Sequence, residues 1–94
     1  MISDNTPLPI VTMYTTKYCP YCMRARQLLK HKNIDFDDIL VTNQDIRQTM
    51  EQKANGLTSV PQIFINELHI GGYDDMAELE RAGKLDGLLH PAQS

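Results

Sequence analysis

The 94-residue chain has two cysteines, Cys19 and Cys22, separated by Pro20-Tyr21. They follow a short β-branched and aromatic run and stand at the head of an amphipathic, helix-like run. A thiol at a helix N-terminus feels the positive end of the helix dipole and the unpaired N–H groups of the first turn. Both favour the thiolate, which is the reactive form. A second thiol three residues on shares the same helix face, within the separation a disulfide tolerates. The arrangement reads as a redox switch built for turnover. Cys19, at the exposed helix start, is the expected nucleophile. Cys22, one turn inside, is the expected resolving thiol.

Other thiol chemistries fit less well. A closed zinc site usually needs four ligands, and His31, His69 and His90 do not fall at finger-like spacing. Met23 rather than histidine follows Cys22, so there is no haem-attachment motif. Two cysteines are too few for a disulfide scaffold, and no metal site is expected. The net charge of −3 and pI near 5.4 argue against nucleic acid or an anionic membrane as the main partner. The segment Met1–Pro7 lacks the basic and apolar regions of a secretory signal. No apolar stretch approaches the ~20 residues of a membrane span. The expectation is a soluble, cytoplasmic, monomeric protein. In that compartment a Cys-x-x-Cys is catalytic or metal-binding rather than structural.

The elements that must hold these thiols follow from periodicity. Residues 1–9 read as a flexible lead-in, 10–90 as one domain and 91–94 as a tail. Ile10–Tyr14 reads as a buried strand. Pro20 suits the first turn of a helix, which runs through Cys22, Met23, Ala25, Arg26, Leu28 and Leu29 to a stop at Asn33. Ile34–Leu40 reads as a second strand. Thr42 or Asn43 caps a helix from Gln44 to Ala54, with Ile46 and Met50 inward, and Asn55-Gly56 ends it. Gln62–Ile65 and Leu68–Ile70 read as strands joined by the tight turn Asn66-Glu67. Asp74 or Asp75 caps a third helix that stops at Gly83, and Leu85–His90 forms a last helical piece. The order β-α-β-α-β-β-α predicts an α/β fold: a mixed four-stranded sheet, parallel in part, flanked by helices. A Cys-x-x-Cys beside a βαβ pattern is a thioredoxin-like redox signature.

Taken singly, the remaining features read plainly. Pro61 is a strand-start proline, Gly71-Gly72 a turn and Asp74-Asp75 a helix cap. Together, Cys19-Pro20-Tyr21-Cys22, Thr58–Ile65 and His69–Asp75 closely resemble a dithiol glutaredoxin of the small bacterial kind, over about Ile10 to Leu89. That resemblance implies a thioredoxin-like fold and a glutathione-dependent thiol–disulfide oxidoreductase. It also implies no tightly bound cofactor, glutathione as co-substrate, and glutathionylated or disulfide-containing proteins as partners. Electrons would come from NADPH through a separate glutathione reductase. By the same resemblance, Tyr21 flanks the glutathione sulfur. The Val60 backbone pairs with the glutathione cysteine, with cis Pro61 behind it and Ser59 beside it. Gly72, Tyr73, Asp74 and Asp75 clamp the γ-glutamyl end, and Gln48 meets the glycyl carboxylate. Many relatives carry a basic residue three positions before the first cysteine. Here that position is Thr16, and Lys17 is the candidate to reach the glycyl carboxylate or stabilise the Cys19 thiolate.

Two other readings share the thiol pair. A thioredoxin-type enzyme typically carries Trp-Cys-Gly-Pro-Cys, and this chain has no tryptophan. A glutathione-ligated iron–sulfur or metal carrier usually has a single-cysteine Cys-Gly-Phe-Ser motif, which Pro20 and Cys22 replace.

Overall fold

A computed structural model describes residues 9–90. The tail expected over 91–94 lies outside the described residues, as does the lead-in apart from Pro9. Eight elements follow in order: β1 (Val11–Thr15), α1 (Pro20–His31), β2 (Asp37–Leu40), α2 (Gln44–Lys53), β3 (Gln62–Ile65), β4 (Leu68–Gly71), α3 (Tyr73–Arg81) and α4 (Leu85–Leu89).

The sheet order is β2-β1-β3-β4. β1 and β2 are parallel, joined by α1 as a crossover. β3 runs antiparallel to β1, and β4 antiparallel to β3. The expected mixed, four-stranded α/β architecture is therefore the observed one. Side chains alternate across the sheet as the strand period requires. Val11, Met13, Ile63 and Ile65 face α1, α3 and α4, where they pack with Ala25, Leu29, Met76, Leu85 and Leu89. Tyr14 and Phe64 face the other way, against Met50 and Ala54 at the C-terminal end of α2. Their rings meet edge to face at 5.9 Å.

Two boundaries differ from the sequence-based expectation by more than one residue. The second strand begins at Asp37, not Ile34. Asn33 adopts φ 60, and Ile34 N–H returns to the Leu29 carbonyl at 2.9 Å, so the chain is still closing off α1. Ile34 and Phe36 pack on the core before pairing with β1 starts. The third helix is capped by Gly72, not by Asp74 or Asp75. Asp75 is the third helical residue, and its carboxylate accepts the Gly72 N–H at 2.9 Å. The second helix has Asn43 as its cap, with Ile46 N–H donating to Asn43 Oδ1 at 2.9 Å. Lys32 closes the far end of α1, its ammonium 2.8 Å from Glu80 of α3 and 2.8 Å from Asp86 of α4. Among the described residues, no helix is long and apolar enough to cross a membrane.

Candidate active site

The sheet directions bring three distant segments to one edge. β1 ends at Thr15 and hands the chain to α1. Because β3 is antiparallel to β1, its start at Gln62 lies at that same edge, preceded by Ser59-Val60-Pro61. Because β4 is antiparallel to β3, its end returns there, with Gly71 opposite Ile63. The start of α1, the loop before β3 and the start of α3 therefore converge.

Cys19 is the N-cap of α1, with extended backbone (φ −106, ψ 114), and Pro20 follows as the first helical residue. Its Sγ accepts the Cys22 N–H at 3.4 Å, filling the role a serine or aspartate oxygen plays at other helix starts. The thiol also lies 3.8 Å from the Val60 carbonyl oxygen. Cys19 is partly exposed and Cys22 fully buried, and both are free thiols. Burial pulls the Cys19 thiol up, but the Cys22 N–H, the Cys22 thiol, the Tyr21 N–H and the Arg26 guanidinium together bring it below the ordinary cysteine range. Cys22 moves the opposite way. Burial pushes it up to about 11, with the Cys19 thiol adding to the rise and the Thr16 N–H and Arg26 opposing it. One helix turn thus separates a thiol poised to ionise from one held protonated.

Beside Cys19 runs a shallow cleft of about 180 Å³. It is lined by Tyr21 of α1, by Ser59, Val60 and Pro61 of the loop before β3, and by Gly72, Tyr73, Asp74 and Asp75 at the start of α3. The Val60–Pro61 peptide is cis, as the resemblance implied and the plain strand-start reading did not. The loop is held from below by Gln62, which is buried. Its amide nitrogen donates to the Ser59 carbonyl at 3.0 Å, and its amide oxygen lies 2.7 Å from His69 Nε2. A larger hollow of about 350 Å³ opens among Thr12, Tyr14, Lys53 and Phe64, with Asn66 and Glu67 of the β3–β4 turn. That turn is at the opposite end of β3 from the cysteines, whereas the smaller cleft is lined by Val60, whose carbonyl lies 3.8 Å from the Cys19 sulfur, so the chemistry belongs to the smaller cleft.

A family model described as Glutaredoxin matches residues 11–70. The chain belongs to the glutaredoxin family. A glutaredoxin from Pseudomonas aeruginosa is 53% identical over 83 residues, covering 87% of this chain and 98% of the relative. A probable glutaredoxin from Synechocystis is 48% identical over 81 residues, covering 85% and 92%. Among solved structures, the glutaredoxin of Brucella melitensis superposes with a TM-score of 0.78 at 41% identity, covering 90% of this chain and 92% of that one. A buckwheat glutaredoxin–glutathione complex gives 0.79 at 29% identity, covering 88% and 78%. The fold is thioredoxin-like, and this glutaredoxin is a glutathione-dependent thiol oxidoreductase.

Within this glutaredoxin, the sequence-selected residues do not all gather at one place. Tyr21, Ser59, Val60, Pro61 and Gly72 through Asp75 share the cleft, and Cys19 sits at its edge. Gln48 is exposed on α2 and lines a separate hollow with Glu51, Gln52, Asn55 and Gly56. Lys17 is exposed, its ammonium 6.0 Å from the ring centre of the neighbouring Tyr18. Two arginines were missed. Arg47, one residue before Gln48, donates to the Thr58 carbonyl at 3.3 Å, directly before the cleft loop. Arg26, rather than Lys17, is the cation acting on the Cys19 sulfur. Its signal was available: residues 19, 22 and 26 form one i, i+3, i+7 stripe along a helix.

Proposed function

We propose that this glutaredoxin reduces protein–glutathione mixed disulfides and protein disulfides, with Cys19 as nucleophile and Cys22 as resolving thiol. The observation that carries the reading is the Cys19 sulfur, held at the α1 N-terminus by the Cys22 N–H and placed 3.8 Å from the Val60 carbonyl.

The Cys19 thiolate attacks the glutathione sulfur of a mixed disulfide. A Cys19–glutathione disulfide forms, and the target cysteine leaves as a thiolate that takes up a proton. A second glutathione thiolate then attacks the bound glutathione sulfur. Glutathione disulfide forms, and Cys19 leaves as the thiolate. A low-pKa leaving thiol speeds that last step, which is what the donors around Cys19 provide. With a protein disulfide, Cys22 attacks Cys19 instead, and the pair closes.

Glutathione lies in the cleft with its cysteine backbone paired to Val60, a one-residue instance of strand addition. The N-terminus of α3 holds the γ-glutamyl carboxylate through its N–H groups, with Asp74 and Asp75 as the negative charges near the ammonium. Tyr21 flanks the sulfur. Arg47, which donates to the Thr58 carbonyl beside the loop, is a better placed group for the glycyl carboxylate than Gln48 or Lys17. Two cysteines are too few for a disulfide scaffold and suit a compartment where thiols are kept reduced; in this reading the protein is cytoplasmic, monomeric and acts on soluble protein substrates. The buckwheat complex supports glutathione as the ligand.

The experiment is NADPH consumption on a small glutathione mixed disulfide, with glutathione plus glutathione reductase in one arm and thioredoxin reductase in the other. Turnover in the first arm alone is expected. Turnover supported only by thioredoxin reductase would overturn the glutathione reading.

A further inference from the structure

Arg26 lies one helical turn beyond Cys22, on the same face of α1. Its guanidinium is clamped on two sides. Nε donates to Asp38 Oδ2 at 2.6 Å, and Nη2 donates to Thr15 Oγ1 at 2.9 Å. The triangle closes because Thr15 Oγ1 donates to Asp38 Oδ1 at 2.6 Å. Thr15 is fully buried, and the Arg26 and Asp38 side chains are 20% and 31% exposed. This is not a freely solvated surface pair, whose net worth would be small. It ties α1, one helical turn beyond Cys22, to Thr15 at the end of β1 and to Asp38 on β2. Thr15, which holds Arg26, is followed at once by Thr16, whose N–H faces the Cys22 sulfur.

We propose that Arg26 is a positioning residue for the dithiol half of the reaction: clamped by Asp38 and Thr15, its fixed positive charge stabilises the buried Cys22 thiolate as it forms and attacks the Cys19 mixed disulfide. In that step Cys22 gives up its proton, the Cys22–Cys19 S–S bond forms, and the bond from Cys19 to the departing thiol breaks. The departing thiolate takes up the proton, so no further oxidant or reductant is needed. Cys22 is fully buried, and a thiolate there is costly without a compensating charge. Among the described residues, the charged or titratable groups acting on its sulfur are Cys19 and Arg26 on α1. Asp38 on β2 acts through Arg26. Once Cys19 is tied up in a disulfide it carries no charge, and Arg26 is the one that remains. This role rests on Cys22 being the resolving thiol, as proposed above.

The test uses an aromatic disulfide whose released thiolate is coloured, with no glutathione present. The first release is bimolecular and reports attack by Cys19. The second is independent of reagent concentration and reports closure by Cys22. Arg26→Gln should slow the second phase. If its loss raises the Cys22 pKa by about one unit, the thiolate fraction falls about tenfold, and the greater basicity returns part of that, leaving closure about threefold slower. Arg26→Lys should restore closure to near the parent rate, and the first phase should change less than the second. The sign separates charge from packing. A merely loosened helix would hydrate Cys22, favour its thiolate and speed closure. Closure as fast as in the parent or faster in a folded Arg26→Gln protein would overturn the proposal, as would equal slowing in Arg26→Lys. A second phase that persists in Cys22→Ser would instead remove Cys22 as the resolving thiol, which is a failure of the underlying reading.

Discussion

The Cys19 thiol and the Val60 carbonyl, 41 residues apart in the chain, lie 3.8 Å apart. The contact joins the reactive sulfur to the backbone on which the glutathione cysteine is proposed to pair. Reaction and recognition therefore meet at one atom pair, and each can be perturbed separately.

The division of labour between the thiols is the first test. Cys19→Ser should bring exchange down to the uncatalysed rate. Cys22→Ser should keep most of the activity on a small glutathione mixed disulfide, because a second glutathione resolves the intermediate, and should lose reduction of protein disulfides. Steady-state rates on both substrate types measure this. Equal loss in both variants on the glutathione substrate would refute the assignment.

The pH dependence of alkylation tests the electrostatics. In Cys22→Ser, the Cys19 inflection should fall below the free-thiol value of about 8.5, because the N–H donors and Arg26 stabilise the anion. In Cys19→Ser, the Cys22 inflection should lie above that value, because burial is its largest influence. It should fall short of 11, because the neighbouring thiol that adds to the rise is gone. Lys17→Ala should leave the Cys19 inflection in place, since Lys17 is not among the groups acting on that sulfur.

The two aspartates at the start of α3 should separate. Asp75, the third helical residue, reaches back to accept the N–H of the N-cap Gly72. Asp75→Ala should therefore cost about 1 kcal/mol of stability, as lost N-terminal caps do, as well as raising KM for the glutathionylated substrate. Asp74 is exposed. Asp74→Ala should leave the melting temperature unchanged and raise KM by at most about fivefold, the limit for an exposed ion pair. High salt should shrink the KM change. Unchanged kinetics in Asp74→Ala, Asp75→Ala and the double variant would leave Asp75 as a helix-start residue alone and Asp74 without a role in binding.

Two glycines should respond in opposite directions to alanine. Gly71 has φ 113, and a Cβ there would run into the Asp75 carboxylate. Gly71→Ala should destabilise by more than about 1 kcal/mol and disturb the start of α3. Gly87 lies inside α4 with open space around it. Gly87→Ala should stabilise by about 0.5–1 kcal/mol. Denaturant midpoints of the two proteins provide the comparison.

Gln62 should matter for recognition without touching the thiols. Gln62→Leu leaves the Ser59 carbonyl and His69 without their buried partner, at about 1–3 kcal/mol. With Ser59-Val60 less firmly held, KM should rise while the rate of Cys19 alkylation stays near that of the parent. Unchanged KM in a folded protein would show that the loop is held by Pro61 and its neighbours instead.

Local chemistry was legible in the sequence by itself. A proline after Cys19 starts a helix there, a second cysteine at i+3 must share its face, and alternating apolar residues mark the strands. Those features depend only on near neighbours in the chain, and they determined the element order, the mixed sheet and the reactive pair. The tertiary structure decided what depends on which chain ends the sheet register brings together. It set Val60 against Cys19 and made Arg26, anchored on β1 and β2, the cation beneath the thiols in place of Lys17. It left Gln48 outside the cleft. Lys17 is nearer to Cys19 in sequence, but charge acts through space. The antiparallel return of β3 brings Val60 to the sulfur, while Arg26 belongs to the 19, 22, 26 stripe of α1.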